Sequence, residues 1–67
     1  MINLIVNGEE MEVEEKSSIS QLLSKVGAVA AMIAVEKNLD IIPKSDYDST
    51  ILEEGDRIEI VAFVGGG

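Results

Sequence analysis

Three consecutive glycines, Gly65-Gly66-Gly67, follow directly on an apolar segment, and the group they offer to chemistry is the carboxylate of Gly67. Glycine has no Cβ, so such a run can thread a channel too narrow for any other residue, although it has no preferred conformation when free. A carboxylate at the end of that lead is one that another protein's active site can reach. The competing reading is a frayed end without function. The rest of the chain offers few conventional reactive groups. Neither cysteine nor histidine occurs, which removes disulfides, thiolate metal sites, imidazole bases and cysteine nucleophiles and leaves only serine, lysine and carboxylates. These absences argue against an enzyme.

Thirteen acidic side chains against five basic ones give a net charge of −8. Such a surface is repelled by phosphate backbones and anionic lipids, so nucleic acid and membranes are poor partners and a basic patch on another protein is a better one. The longest apolar stretch, residues 28–35, is too short to span a bilayer, and the first residues lack the basic region of a signal peptide. A cytoplasmic location is expected. At 67 residues the chain makes one domain, near the lower size at which a core holds without staples. Its apolar content of 46% is patterned rather than scattered, which predicts a folded chain despite the charge.

The elements that must position the glycines can be read in order. Ile2, Leu4 and Val6 alternate with Asn3, Ile5 and Asn7, and Asn7-Gly8 is a strong hairpin signal because both residues tolerate positive φ. A second strand returns through Met11, Val13 and Glu15, with Glu10, Glu12 and Glu14 forming an acid-lined edge that resists pairing with another chain. Ser18-Ile19-Ser20-Gln21 fits a capping box, and Ile19, Leu22, Leu23 and Val26 share one helical face before Gly27 closes the helix. A third strand is predicted over 31–35, a turn over 36–39 and a short fourth strand over 40–42, ended by Pro43. Residues 44–50 suggest a turn or a single 3₁₀ turn, after which Ile51 and Leu52 pack back before the Glu54-Gly55 turn. The last strand follows. The fold class is α+β: a mostly antiparallel sheet with one main helix packed on one face, a domain over 1–64 and a flexible glycine-rich tail over 65–67.

Other candidate chemistry fails on spacing. Asp46, Asp48 and Thr50 match the first three ligand positions of a calcium loop, yet Ile51 stands where that loop needs glycine and Arg57 where it needs glutamate. No metal site is expected. Glu53-Glu54 and Asp46-x-Asp48 lie in turns, where acidic residues collect without a pocket to use them. Lys44, after Pro43, reads as a lone salt-bridge or docking residue. The last strand is more informative. Alternation puts Ile58, Ile60, Ala62 and Val64 on one face, and Arg57, Glu59, Val61 and Phe63 on the other. With the first set toward the helix, Val61 and Phe63 fall on the open side of the sheet, joined by Ile5 in an apolar contact surface beside the tail.

Taken together, these residues resemble the ThiS family of sulfur carriers, within the wider ThiS/MoaD group of ubiquitin-like β-grasp domains. The resemblance covers nearly the whole chain. It rests on the Asn7-Gly8 hairpin, Val35-Glu36-Lys37-Asn38 leading to Ile41-Ile42-Pro43-Lys44, then Tyr47, Thr50, Leu52, and Glu54-Gly55-Asp56-Arg57-Ile58-Glu59-Ile60-Val61 running to Phe63-Val64-Gly65-Gly66-Gly67. The sequence departs from the family pattern at Leu39, where glycine is frequent, and at Ala62, where histidine is.

The resemblance implies a carrier. A ubiquitin-activating-like adenylyltransferase of ThiF type would use ATP and magnesium to adenylate Gly67, and a sulfur nucleophile fed by a persulfide donor would displace AMP to leave a thiocarboxylate. Thiazole synthase of ThiG type would then take the sulfur for the thiazole of thiamine. By the same resemblance Gly66 and Gly67 are indispensable, Gly65 and Val64 form the lead-in and Phe63 is the anchor; with Val61 and Ile5, placed by alternation, Phe63 and Val64 make up the expected docking surface. Two alternatives stay open: the molybdopterin synthase small subunit or another thiocarboxylate carrier, and a ubiquitin-like modifier or binding module.

Overall fold

The fold is taken from a computed structural model that describes residues 1–62. Its elements are β1 (Ile2–Val6), β2 (Glu9–Val13), α1 (Ile19–Val26), β3 (Ile33–Lys37), β4 (Asp40–Ile42) and β5 (Arg57–Ala62), with 3₁₀ turns at Ala30–Met32 and Lys44–Asp46. The strands form one sheet in the order β2-β1-β5-β3-β4. The last strand in sequence is therefore the central one. It runs parallel to β1 and antiparallel to β3, while each outer strand pairs with its hairpin partner.

Local chemistry accounts for the elements. Asn7 and Gly8 both take positive φ, 51° and 83°, as a two-residue hairpin turn requires. The capping box of α1 is complete: Gln21 N–H donates to Ser18 Oγ at 3.1 Å, and Ser18 N–H donates to Gln21 Oε1 at 2.8 Å. The remaining early amides find partners in the segment after the second 3₁₀ turn, Ile19 donating to the Thr50 carbonyl at 3.0 Å and Ser20 to that of Tyr47 at 3.1 Å. That leaves no orphan donor at the helix start. Gly27 closes the helix at φ 78° with its N–H turned back to the last carbonyls.

Ile19, Leu22 and Leu23 lie against a core of Leu4, Val6, Val13, Ile33, Val35, Tyr47, Leu52 and Ile58. Each fully buried aliphatic side chain contributes about 1.5–3 kcal/mol. The opposite face of the sheet carries no helix among the described residues.

Several expectations need correction. Residues 30–32 form a 3₁₀ turn rather than the start of the third strand, which begins at Ile33 and continues through Glu36 and Lys37. The turn narrows to Asn38 and Leu39 because the pairing of Lys37 with Asp40 leaves only two residues between the strands. Glu15 lies beyond β2, which ends at Val13. Val26 and Ile51 are exposed rather than packed. The exposed Lys44, read as a salt-bridge or docking residue, is not contradicted: its Nζ donates to the Ile33 carbonyl at 3.1 Å and ties the second 3₁₀ turn to the start of β3. The boundary drawn at residue 64 and the tail over 65–67 lie outside the described residues.

Leu39 has φ 76° and is 89% exposed, so it is held in a glycine-favouring conformation without burial to offset it. A left-handed conformation costs an L-residue roughly 1–2 kcal/mol. Leu39→Gly is expected to raise unfolding stability by about 1 kcal/mol, read as a higher urea midpoint at unchanged slope. A midpoint equal to or below that of the unsubstituted chain would contradict this account of the turn.

Candidate functional site: the end of the central strand and the open sheet face

Gly65, Gly66 and Gly67, with Phe63 and Val64, lie outside the described residues; the structure instead shows the strand that leads to them. β5 is gripped at both ends by asparagines from the two hairpin turns. At its start Asn38 accepts from Arg57 N–H through Oδ1 at 2.9 Å and donates its own N–H to the Arg57 carbonyl at 2.8 Å. Its Nδ2 also donates to Asp56 Oδ1 at 3.1 Å. Asp56 is 6% exposed, accepts from Glu53 N–H at 2.8 Å through Oδ2, and has Lys37 Nζ 3.8 Å away. A buried carboxylate supplied with donors in this way fixes the turn that launches β5.

Near the other end, β1 runs out after Val6, its last residue paired with β5. Asn7 extends the pairing. Its backbone N–H donates to the Ile58 carbonyl at 2.9 Å, its Oδ1 accepts from Ile60 N–H at 2.7 Å, and its Nδ2 donates to the Ile60 carbonyl at 3.2 Å. The carboxamide thus occupies the place of the next peptide group of a parallel neighbour. Only this orientation works, because the flipped amide would set two donors face to face.

Register sorts the open face. Arg57, Glu59 and Val61 share it with Ile5, which lies opposite Arg57, and with Ala34 and Glu36, which lie opposite Val61 and Glu59. Val61 is 55% exposed, as the alternation predicts. Ile5 is on the expected face but does not join Val61. Val61 stands four residues along β5 from Arg57, roughly 13 Å at the strand rise. The apolar neighbour of Val61 is instead Ala34, with Ile41 exposed further out opposite Glu36.

Sequence reasoning missed two features here. Glu36 and Glu59 are directly opposite across the β3–β5 pair. Neither makes an ion pair among the described residues. No sequence signal announces the pair, since it exists only in the antiparallel register. Asn7 was legible as a turn residue, but its carboxamide contacts a strand 53 residues away. Among the described residues no group of three or more acidic side chains is arranged to hold a metal ion, and no helix is long and apolar enough to cross a membrane. In the apparent calcium loop Asp48 accepts from the hydroxyl of Ser20 on α1, and the backbone carbonyl of Asp46 accepts from Thr50 Oγ1 at 2.7 Å.

A five-stranded mixed sheet with one helix across one face defines the chain as a β-grasp domain. The crystal structure of the thiamine biosynthesis protein ThiS from Geobacter metallireducens superposes with a TM-score of 0.85 at 35% identity, covering 98% of this chain and all of that one. The sulfur carrier protein ThiS of Bacillus subtilis is 37% identical over 65 residues, 96% of this chain and 98% of that one. A thiazole synthase of Paramagnetospirillum magneticum is 42% identical over 66 residues, and there the chain spans 20% of the longer protein's length. The family model described as ThiS family matches residues 4–67, and the chain belongs to that family.

Like charges directly opposite in a sheet are destabilising. Glu59→Lys is expected to raise stability by roughly 0.2–1 kcal/mol, with the gain shrinking as salt is added. Thermal unfolding at low and high ionic strength checks it; a loss of stability at low salt would show that the two carboxylates do not oppose each other in solution.

Proposed function

We propose that this chain is a sulfur carrier of thiamine biosynthesis that ferries sulfur as a thiocarboxylate on Gly67. The observation that carries the reading is the match, along nearly the full length of both chains, to the sulfur carrier ThiS. A carboxylate is a poor electrophile. Transfer of AMP from ATP, with magnesium and an adenylyltransferase of ThiF type, makes one carboxylate oxygen part of a good leaving group that sulfur displaces. The sulfur comes from a persulfide on another protein, in keeping with a chain that has no cysteine of its own. The outer sulfur of the persulfide displaces AMP to form an acyl disulfide, and a second thiol breaks the S–S bond, taking the donor's inner sulfur into a disulfide and leaving the thiocarboxylate on Gly67. A thiazole synthase of ThiG type takes it from the carrier; support for this partner is that relatives named thiazole synthase contain a segment similar to this chain. The chain acts as a co-substrate and not as a catalyst, and the pathway is cytoplasmic.

The open face suits such a role. Val61 and Ala34 offer a small apolar patch beside the end of β5, and Glu36 and Glu59 border it with negative charge, a pattern that favours a partner with basic residues around an apolar contact. Phe63 and Val64 are assigned to the same docking surface by their place in the sequence, and Gly65 and Gly66 to the lead that carries Gly67 into the partner's site.

The test is reconstitution with the activating enzyme, ATP, magnesium, a persulfide donor and thiazole synthase, following thiazole phosphate. Removal of Gly67 is expected to abolish product with unfolding unchanged, and product formed at the full rate without it would refute the carrier reading. Val61→Asp is expected to raise KM for the carrier about tenfold in the adenylation step, since it buries a charge against an apolar contact. An unchanged KM would remove Val61 from the interface.

A further inference from the structure

We propose that Asn7 is a self-modification site whose chemistry the fold suppresses: when the chain unfolds, the Asn7 carboxamide cyclises onto the nitrogen of Gly8, loses ammonia and leaves an aspartyl or isoaspartyl residue in the first turn. The inference stands apart from the carrier reading. Glycine makes position 7 reactive, because the attacking nitrogen has no neighbouring Cβ to crowd it. The other two asparagines, Asn3 and Asn38, are each followed by leucine. Reaction in the unfolded chain therefore concentrates at Asn7.

The step needs only base and water. A base takes the proton of the Gly8 N–H, the nitrogen bonds to Asn7 Cγ, and the Cγ–Nδ2 bond breaks as ammonia departs with a proton. Water then opens the five-membered imide. Opening at Cγ leaves an aspartyl residue, and opening at the main-chain carbonyl leaves an isoaspartyl residue whose backbone runs through the side chain.

In the folded chain nothing shields the site sterically. Asn7 and Gly8 are exposed, and a Cβ added at Gly8 would meet nothing within 4 Å. The protection is conformational. Asn7 Oδ1 accepts from Ile60 N–H at 2.7 Å and Nδ2 donates to the Ile60 carbonyl at 3.2 Å, and cyclisation must take Cγ away from both. The backbone opposes closure as well. Asn7 has φ 51°, in the left-handed region where ψ is about +47°. At that ψ the Gly8 nitrogen lies nearly opposite Cβ across the Cα–C bond, so closing the ring means turning the peptide by more than a right angle. That rotation dismantles the turn that sets Val6 opposite Glu9.

The products do not fit the place the carboxamide leaves. An ionised aspartyl side chain only accepts, so the Ile60 carbonyl loses its donor and faces a negative charge. An isoaspartyl residue lengthens the main chain within a two-residue turn whose geometry fixes the register of β1 and β2. Unfolding is thus recorded as a covalent change that weakens the refolded chain.

The unsubstituted chain is held at mildly alkaline pH in buffer and in urea sufficient to unfold it, and replacement of –NH₂ by –OH is followed by mass and located by fragmentation. Amide exchange at Ile60 is measured in the same buffer. The rate at Asn7 is expected to be lower in buffer than in urea by about tenfold or more, and its protection to equal or exceed that of the Ile60 amide as urea is raised toward the transition. The modified chain, returned to buffer, is expected to unfold at a lower urea midpoint. Rates in buffer and urea within about twofold of each other overturn the proposal, as does modification in urea that is absent or is spread evenly over Asn3 and Asn38. Modification in buffer that outruns opening at Ile60 overturns the carboxamide clamp as the barrier, and an unchanged midpoint overturns the weakening of the refolded chain.

Discussion

The structure depends on one strand being held from both sides. The β1–β2 and β3–β4 hairpins do not pair with each other; each reaches the other only through β5. The strand completed last in the chain thus joins the two halves of the sheet, and its side chains Ile58 and Ile60 link the halves of the core beneath α1. Pairings between distant segments pay their loop-closure cost before any contact rewards them, so the ends of β5 are where the ladder is weakest. Asparagines stand at those places. Asn38 and Asn7 occupy equivalent positions in the two hairpin turns, with φ 52° and 51°, and each turns its carboxamide onto the backbone of β5. The same residue type serves because it tolerates the left-handed conformation and carries a peptide-like group on a short side chain.

The two faces of β5 then divide the work. One is committed to the core at Ile58 and the half-buried Ile60, while Ala62, expected on that face, is exposed. The other is open and combines Val61 and Ala34 with a Glu36–Glu59 pair that is unfavourable for the isolated fold. A local cost with no ion pair to offset it among the described residues is characteristic of a surface shaped for something beyond stability. The buried Asp56 network has the opposite character: its carboxylate is satisfied inside the fold by Glu53 N–H, Asn38 Nδ2 and Lys37.

Much of this was legible before the fold was known, wherever the signal is local. The capping box at Ser18 and Gln21, the close at Gly27 and the Asn7-Gly8 hairpin each follow from a few neighbouring residues and appear as read. The alternation of β5 placed Val61 on the open face for the same reason. What escaped is non-local or ambiguous by composition. The run of small and apolar residues before Ile33 has no period that separates strand from 3₁₀ turn, and its first part is a turn. The distance between Ile5 and Val61, the meeting of Glu36 with Glu59 and the second use of Asn7 all require the register of strands far apart in sequence. Tyr47 entered as part of a turn and through the family resemblance, yet it is 4% exposed and belongs to the core.

The carrier account is tested most directly by the intact mass of the chain after incubation with ATP, magnesium, its activating enzyme and a persulfide source. The account predicts a gain equal to the replacement of one oxygen by sulfur, located by fragmentation to Gly67. No gain, or a ladder of adducts to lysine side chains of other proteins, would contradict it.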